Sequence, residues 1–133
     1  MIGLDTNVLV RYIMQDDPKQ SPLSNRLIES LTQESPGFVS IVSIVEIFWV
    51  LSSVYDLGHA ELIAALEAIL HAKELVVERA EIVWKAVRQF QTVSADFADC
   101  LIACSGSVAG CGRIITFDRA AAKSGGMTLI TEH

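Results

Sequence analysis

Five short apolar runs alternate along the chain with segments of helical periodicity, and this alternation limits the possible folds more than any other feature. The runs are Ile2 to Leu4, Phe38 and Val39, Leu75 to Val77, Ile114 to Thr116, and Met127 to Ile130. Between them, apolar residues recur every three or four positions, as on one side of a helix. Val8, Leu9, Tyr12 and Ile13 mark a helix over Asn7 to Met14. Leu23, Leu27, Ile28 and Leu31 share the face of another that reaches about Thr32. A third runs from about Val42 to near Gly58, and a fourth carries Leu62, Leu66, Ile69 and Leu70. Ala80, Val83, Trp84, Val87 and Phe90 mark a fifth; Ser94 to Asp96 open a sixth that reaches roughly Val108; Arg119 to Ser124 form the last. Strands this short, joined through helices, make crossover units, so the expected fold is α/β, a parallel sheet covered by helices on both faces. Such sheets bind ligands outside the carboxyl ends of their strands.

The length of 133 residues fits one compact domain, residues 1–133, and a hydrophobic fraction of 51% is enough to bury a core. With 10 Lys and Arg against 16 Asp and Glu, the net charge is −6. This balance argues against a broad basic face that would grip phosphates by releasing counterions. If the ligand is a polyanion, a divalent cation held by carboxylates would have to supply the positive charge. The longest apolar stretch, Phe38 to Tyr55, is interrupted by Ser40, Ser43, Glu46, Ser52 and Ser53, and falls short of the roughly 20 mainly apolar residues that cross a bilayer. It reads as a buried helix, and no membrane is expected. Met1 to Val10 lack a basic n-region, which makes the cytoplasm the expected location. Cys100, Cys104 and Cys111 are an odd set without paired C-x-x-C spacing, and are expected to be reduced core residues.

The chemistry-bearing residues are acids. Asp5 ends the first strand and Asp118 sits just past the fourth, so a parallel sheet would bring both to one edge. Thr6 and Asn7 follow Asp5, where they either orient its carboxylate or begin the helix as capping residues. Glu46 stands among Ile44, Val45, Ile47, Phe48, Trp49, Val50 and Leu51. A charged carboxylate in that setting is costly unless it is paired, by Arg or Lys, or coordinates a metal. Asp96 and Asp99 lie on one face near a helix N-terminus, Asp96 serving as a cap or a metal ligand and Asp99 sitting deeper. Asp5, Glu46, Asp99 and Asp118 come from four segments that the fold class directs to one cleft, where repulsion would raise their pKa values unless cations neutralised them. Hard oxygen donors without His or thiolate suit Mg²⁺ or Mn²⁺.

Four segments, Leu4-Asp5-Thr6-Asn7-Val8-Leu9, Ser43-Ile44-Val45-Glu46-Ile47, Asp96-Phe97-Ala98-Asp99-Cys100-Leu101-Ile102-Ala103 and Thr116-Phe117-Asp118, resemble in order and spacing those of PIN-domain nucleases, specifically VapC-type toxins of toxin–antitoxin pairs. The resemblance covers essentially the whole chain. It implies a three-layer α/β/α PIN-like fold with a central parallel sheet of five strands and Mg²⁺- or Mn²⁺-dependent endoribonuclease action on an RNA substrate. It also implies homodimerisation and inhibition by a small VapB-like antitoxin. Asp5, Glu46 and Asp99 look like the core acids of that family, Asp118 like its less strictly required fourth, and Thr116 like its hydroxyl residue. Arg11, Arg119 and Lys123 are the basic residues nearest these motifs in sequence, and so are candidates for the RNA backbone.

Two other functions fit parts of the pattern. A metal-dependent phosphatase of another α/β family would also place an Asp after the first strand, but the second Asp two residues later, expected of haloacid dehalogenases, is missing. A catalytically inactive PIN-like binding module would not need all four acids.

Overall fold

Side-chain caps decide where strands give way to helices. Asp5, Ser40 and Asp118 each follow a short strand in extended backbone conformation and accept hydrogen bonds from the N–H groups of the helix that begins next. Those donors have no partner inside the helix. The computed structural model describes residues 1–131; Glu132 and His133, the last two residues of the expected domain, lie outside the described residues. The chain forms two compact units that meet in sequence at Ala80 and Glu81.

The first unit contains β1 (Ile2–Gly3), α1 (Thr6–Met14), α2 (Gln20–Ser30), β2 (Gly37–Val39), α3 (Ile41–Ser53), α4 (His59–His71) and β3 (Leu75–Val77). Its strands form a parallel sheet in the order β1-β2-β3, with Ile2 opposite Gly37 and Gly37 opposite Leu75. Each connection is therefore a helical crossover, as the alternation in sequence requires. Leu9, Val39, Ile44, Ile47, Leu51 and Leu66 are among its most deeply buried side chains.

Two expectations fail here for identifiable reasons. The apolar face drawn through Leu23, Leu27, Ile28 and Leu31 fails at Leu23, which is exposed; Ile28 is buried and Leu27 and Leu31 are half-buried, and Ser21 and Ser24 are buried as well. Ser21 can be buried because its hydroxyl donates to the carbonyl of Arg11 at 2.9 Å and accepts the N–H of Asp17 at 3.3 Å. The helix expected to run to near Gly58 stops at Ser53, and Asp56 takes the left-handed conformation at φ 54°, which Asp tolerates better than most residues. Gly58 instead stands at the N-cap of α4, where its N–H donates to the Glu61 carboxylate at 3.2 Å.

The second unit takes in nearly all of α5 (Ala80–Thr92), then α6 (Phe97–Val108), β4 (Ile115–Thr116), α7 (Arg119–Ser124) and β5 (Thr128–Leu129). β4 and β5 pair in parallel, Ile115 opposite Thr128. α5 buries Ile82, Val83, Ala86, Val87 and Phe90. Phe90 meets Phe97 edge to face, with ring centroids 6.0 Å apart, a geometry that contributes about 0.5–1.5 kcal/mol beyond its burial. Ala103, Ala121 and Met127 form a small buried cluster with Ile114 packed against it. Cys100 is buried and Cys104 half-buried, but Cys111 is exposed, because Gly110 at φ 97° has already turned the chain out of α6.

The protein is thus mixed α/β with parallel strands, as expected. Among the described residues the strands form two hydrogen-bonded ladders, of three and of two strands. No described helix is long and apolar enough to cross a membrane.

Candidate functional site

In the first unit the acids are organised by one threonine. Leu4 is buried, and its N–H donates to the carbonyl of Phe38 at 2.9 Å, which delivers the next residue, Asp5, to the exposed corner between β1 and α1. Asp5 Oδ1 accepts the N–H of Thr6 at 2.8 Å. The Thr6 side chain is buried, and its hydroxyl donates to Glu46 Oε1 at 2.8 Å. The hydroxyl expected beside Asp5 therefore serves Glu46, and the backbone of the same residue serves Asp5. Asn7 is exposed in the first turn of α1.

Glu46 is not the buried acid that its neighbours in sequence suggest. α3 buries Ser43, Ile44, Ile47, Phe48 and Leu51, and leaves Val42, Glu46 and Trp49 on an open face. Burial therefore does not force Glu46 to find a countercharge, and its partner is the neutral Thr6 hydroxyl.

In the second unit three carboxylates act on one another. Asp96 occupies the N-cap position of α6, yet its side chain makes no capping hydrogen bond, so capping does not explain it. Asp99, in the first turn of α6, is half-buried. Its carboxyl is held above the usual carboxylate range, first by burial and then by the negative charges of Asp96 and Asp118. Asp118 Oδ1 accepts the N–H groups of Ala120 and Ala121 at 2.8 and 3.1 Å, and its own N–H donates to Thr116 Oγ1 at 3.0 Å. Thr116 thus fixes the backbone of Asp118, and the capping bonds occupy one of its two carboxylate oxygens.

None of the five acids is paired with Lys or Arg among the described residues. Nor does any group of three or more His, Cys, Asp or Glu among the described residues form an arrangement that would hold a metal ion. The donor chemistry itself is that of a hard cation, since every candidate atom is a carboxylate oxygen.

The basic candidates differ. Arg11 is engaged inside its own unit: Nε donates to Gln20 Oε1 at 2.8 Å, one terminal nitrogen donates to the Tyr55 hydroxyl at 2.9 Å, and Asp16 lies 3.5 Å away. The Tyr55 hydroxyl in turn donates to Asp16 at 2.8 Å. No local pattern announces this network, which joins the end of α1 to the end of α3. Arg119 and Lys123 are exposed on α7.

No curated protein matches the chain. A family model, the PIN domain, matches residues 2–131, and with its parallel strands and helical crossovers the chain belongs to the PIN-domain family.

Proposed function

We propose that the chain is a single PIN domain over residues 1–133 that cleaves RNA as a Mg²⁺- or Mn²⁺-dependent endoribonuclease, the VapC-type toxin of a toxin–antitoxin module. PIN domains are generally metal-dependent nucleases that act on nucleic acid. The observation that carries the reading to this chain is its set of uncompensated carboxylates: five acids without a basic partner among the described residues, one of them raised in pKa by burial and then by two others. In a chain of net charge −6, negative charge left unneutralised at these positions fits a site that a cation completes.

Asp5, Glu46, Asp99 and Asp118 are the proposed ligands, with Asp96 as a further donor. When bound, the cations would supply an activated water and stabilise charge on the leaving 3′ oxygen in an in-line displacement. The P–O3′ bond breaks as the water oxygen joins phosphorus, leaving a 5′-phosphate and a 3′-hydroxyl. The chain's own residues do the positioning: Thr6 fixes both acids of the first unit, and Thr116 fixes the backbone of Asp118. Arg119 and Lys123 are proposed to meet the RNA backbone. In the cytoplasm, a homodimer held inactive by a VapB-like antitoxin completes the proposal.

The test is incubation of the purified chain, free of antitoxin, with structured RNA in Mg²⁺ or in chelator. Cleavage in Mg²⁺ alone, abolished by Asp5→Asn, is the expected result. Hydrolysis of a phosphomonoester without RNA cleavage would point to a phosphatase, and no turnover of either substrate to a binding module.

A further inference from the structure

A cavity of about 220 Å³ lies between α1 and α2, lined by Asn7, Val8 and Arg11 from the first helix and by Gln20, Leu23 and Ser24 from the second. Ser24 is only 7% exposed, and its hydroxyl has no hydrogen-bond partner among the described residues. Ser21, one turn earlier, shows how the same helix satisfies such a group: its hydroxyl donates to the Arg11 carbonyl and accepts the N–H of Asp17. Every fully buried side-chain oxygen or nitrogen among the described residues has a partner, so the unpartnered Ser24 hydroxyl is one that still opens into the cavity it lines. Leu23, 59% exposed, forms an apolar wall at the mouth.

We infer that this cavity receives one nucleobase of the RNA, guanine in preference to the other three, and so helps to set where the chain cuts. This inference rests on the nuclease reading above. The cavity runs along α1 from Asn7 to Arg11, about 3–9 Å beyond Asp5 at the rise of a helix. A base next to a phosphodiester held at Asp5 reaches that far.

Charge and size decide what fits. Arg11 does not make this a phosphate site, because Asp16 at 3.5 Å and Asp17 at 3.9 Å already offset its guanidinium. The other lining residues are neutral, and the volume is below the roughly 300–1,000 Å³ that drug-sized ligands require. A flat, neutral ring with polar edges suits such a space. One terminal nitrogen of Arg11 has no partner among the described residues, and the Gln20 amide, whose oxygen accepts from Arg11 Nε, has its nitrogen left to donate. The Ser24 hydroxyl and the Asn7 amide can accept as well as donate. Guanine matches this set, with adjacent acceptors at O6 and N7 and N–H donors on its next edge, whereas adenine would turn its amino group toward the donors. An apolar protein side chain would meet the walls of Val8 and Leu23 but leave the polar groups unpaired.

The experiment measures anisotropy of dye-labelled oligouridine in chelator, so that nothing is cleaved, with one central position occupied by each base in turn. The guanosine strand should bind roughly 5- to 150-fold more tightly than the other three. Ser24→Ala should cut that preference roughly 2- to 10-fold, and Leu23→Trp, which plugs the cavity from its exposed side, should erase it. Equal affinity for all four strands would overturn the proposal, as would a Ser24→Ala protein that weakens every strand alike or keeps the full preference. Leu23→Trp converting a dimer to monomers in sedimentation, with the guanosine preference intact, would assign the cavity to a second copy instead. In Mg²⁺ the cuts in a mixed-sequence RNA should fall at a fixed distance from guanosine. Guanosine-selective binding without any cleavage would defeat the nuclease reading alone, and cleavage without regard to guanosine would defeat the base site alone.

Discussion

Thr6 and Glu46 are joined by a hydrogen bond of 2.8 Å from the threonine hydroxyl to Oε1, while the Thr6 N–H donates over the same distance to Asp5. One buried residue therefore sets the position of two proposed ligands from different elements. Thr6→Val keeps the shape and removes the donor to Glu46. Metal-dependent RNA cleavage is expected to fall roughly 10- to 100-fold, the usual cost of losing a group that orients a ligand. Thr6→Ser should restore most of the rate. Folding stability, followed by thermal denaturation, should drop by only about 0.5–1.5 kcal/mol. A valine variant that cleaves at the parental rate would remove Thr6 from the site.

Elements governed by local rules were legible in the sequence. Leu75–Val77 and Arg119–Ser124 lie where they were expected, because a β-branched run and an Asp cap carry their own signals. What failed depended on which side of an element is covered. The apolar neighbours of Glu46 suggested burial all round, yet α3 leaves Val42 and Trp49 in water beside it. On α2 the reverse occurred: Ser21 is buried and Leu23 exposed, since the Ser21 hydroxyl bonds to the α1 carbonyl of Arg11 and to the Asp17 N–H. The motifs supplied the proposed acids, but not the role of Thr6 as shared donor, nor the network that occupies Arg11. Contacts made across the fold leave no periodic trace in sequence.

The three thiols should differ sharply in reactivity. Burial, with the nearby charges of Cys104, Asp99 and Asp96, pushes Cys100 up to about 11, and burial also raises Cys104. Only the thiolate reacts, so iodoacetamide at pH 8 should label exposed Cys111 first, Cys104 slowly, and Cys100 only after denaturation. The folded-state pKa of Cys100 lies above its unfolded value. The stability it contributes is therefore whole below about 9 and lost progressively as pH rises toward 11. Mass spectrometry of the labelled peptides checks the order; early labelling of Cys100 in native protein would contradict its place in the core.

Gly125 closes α7 by donating its N–H to the Ala121 carbonyl at 2.9 Å. A Cβ at this position would lie 2.8 Å from that carbonyl oxygen and 3.2 Å from Ala121 Cα, both backbone atoms with little room to yield. Gly125→Ala is expected to cost about 1–3 kcal/mol in urea denaturation. Gly112→Ala, where an added Cβ meets nothing within 4 Å, serves as control and should change stability little.

Asp99 links the stability of the cation-free protein to its proposed role. Burial, and then Asp96 and Asp118, hold its carboxyl above the ordinary range, so the fold prefers the protonated form. For an acid shifted upward, the stability it contributes is present at low pH and lost as pH rises past the unfolded pKa. Ionised Asp99 thus weakens the protein at neutral pH. Asp99→Asn, which keeps the shape without the charge, should be the more stable protein at pH 7 in chelator. The gain should not exceed about 1 kcal/mol, because solvent screens a half-exposed group. The two melting curves should converge as pH falls into the carboxylate range. Mn²⁺ should raise the Tm of the parent and leave the variant nearly unchanged, while RNA cleavage is lost in the variant. A less stable Asp99→Asn protein at pH 7 would show that the ionised carboxylate supports the fold, and would argue against its being held in readiness for a cation.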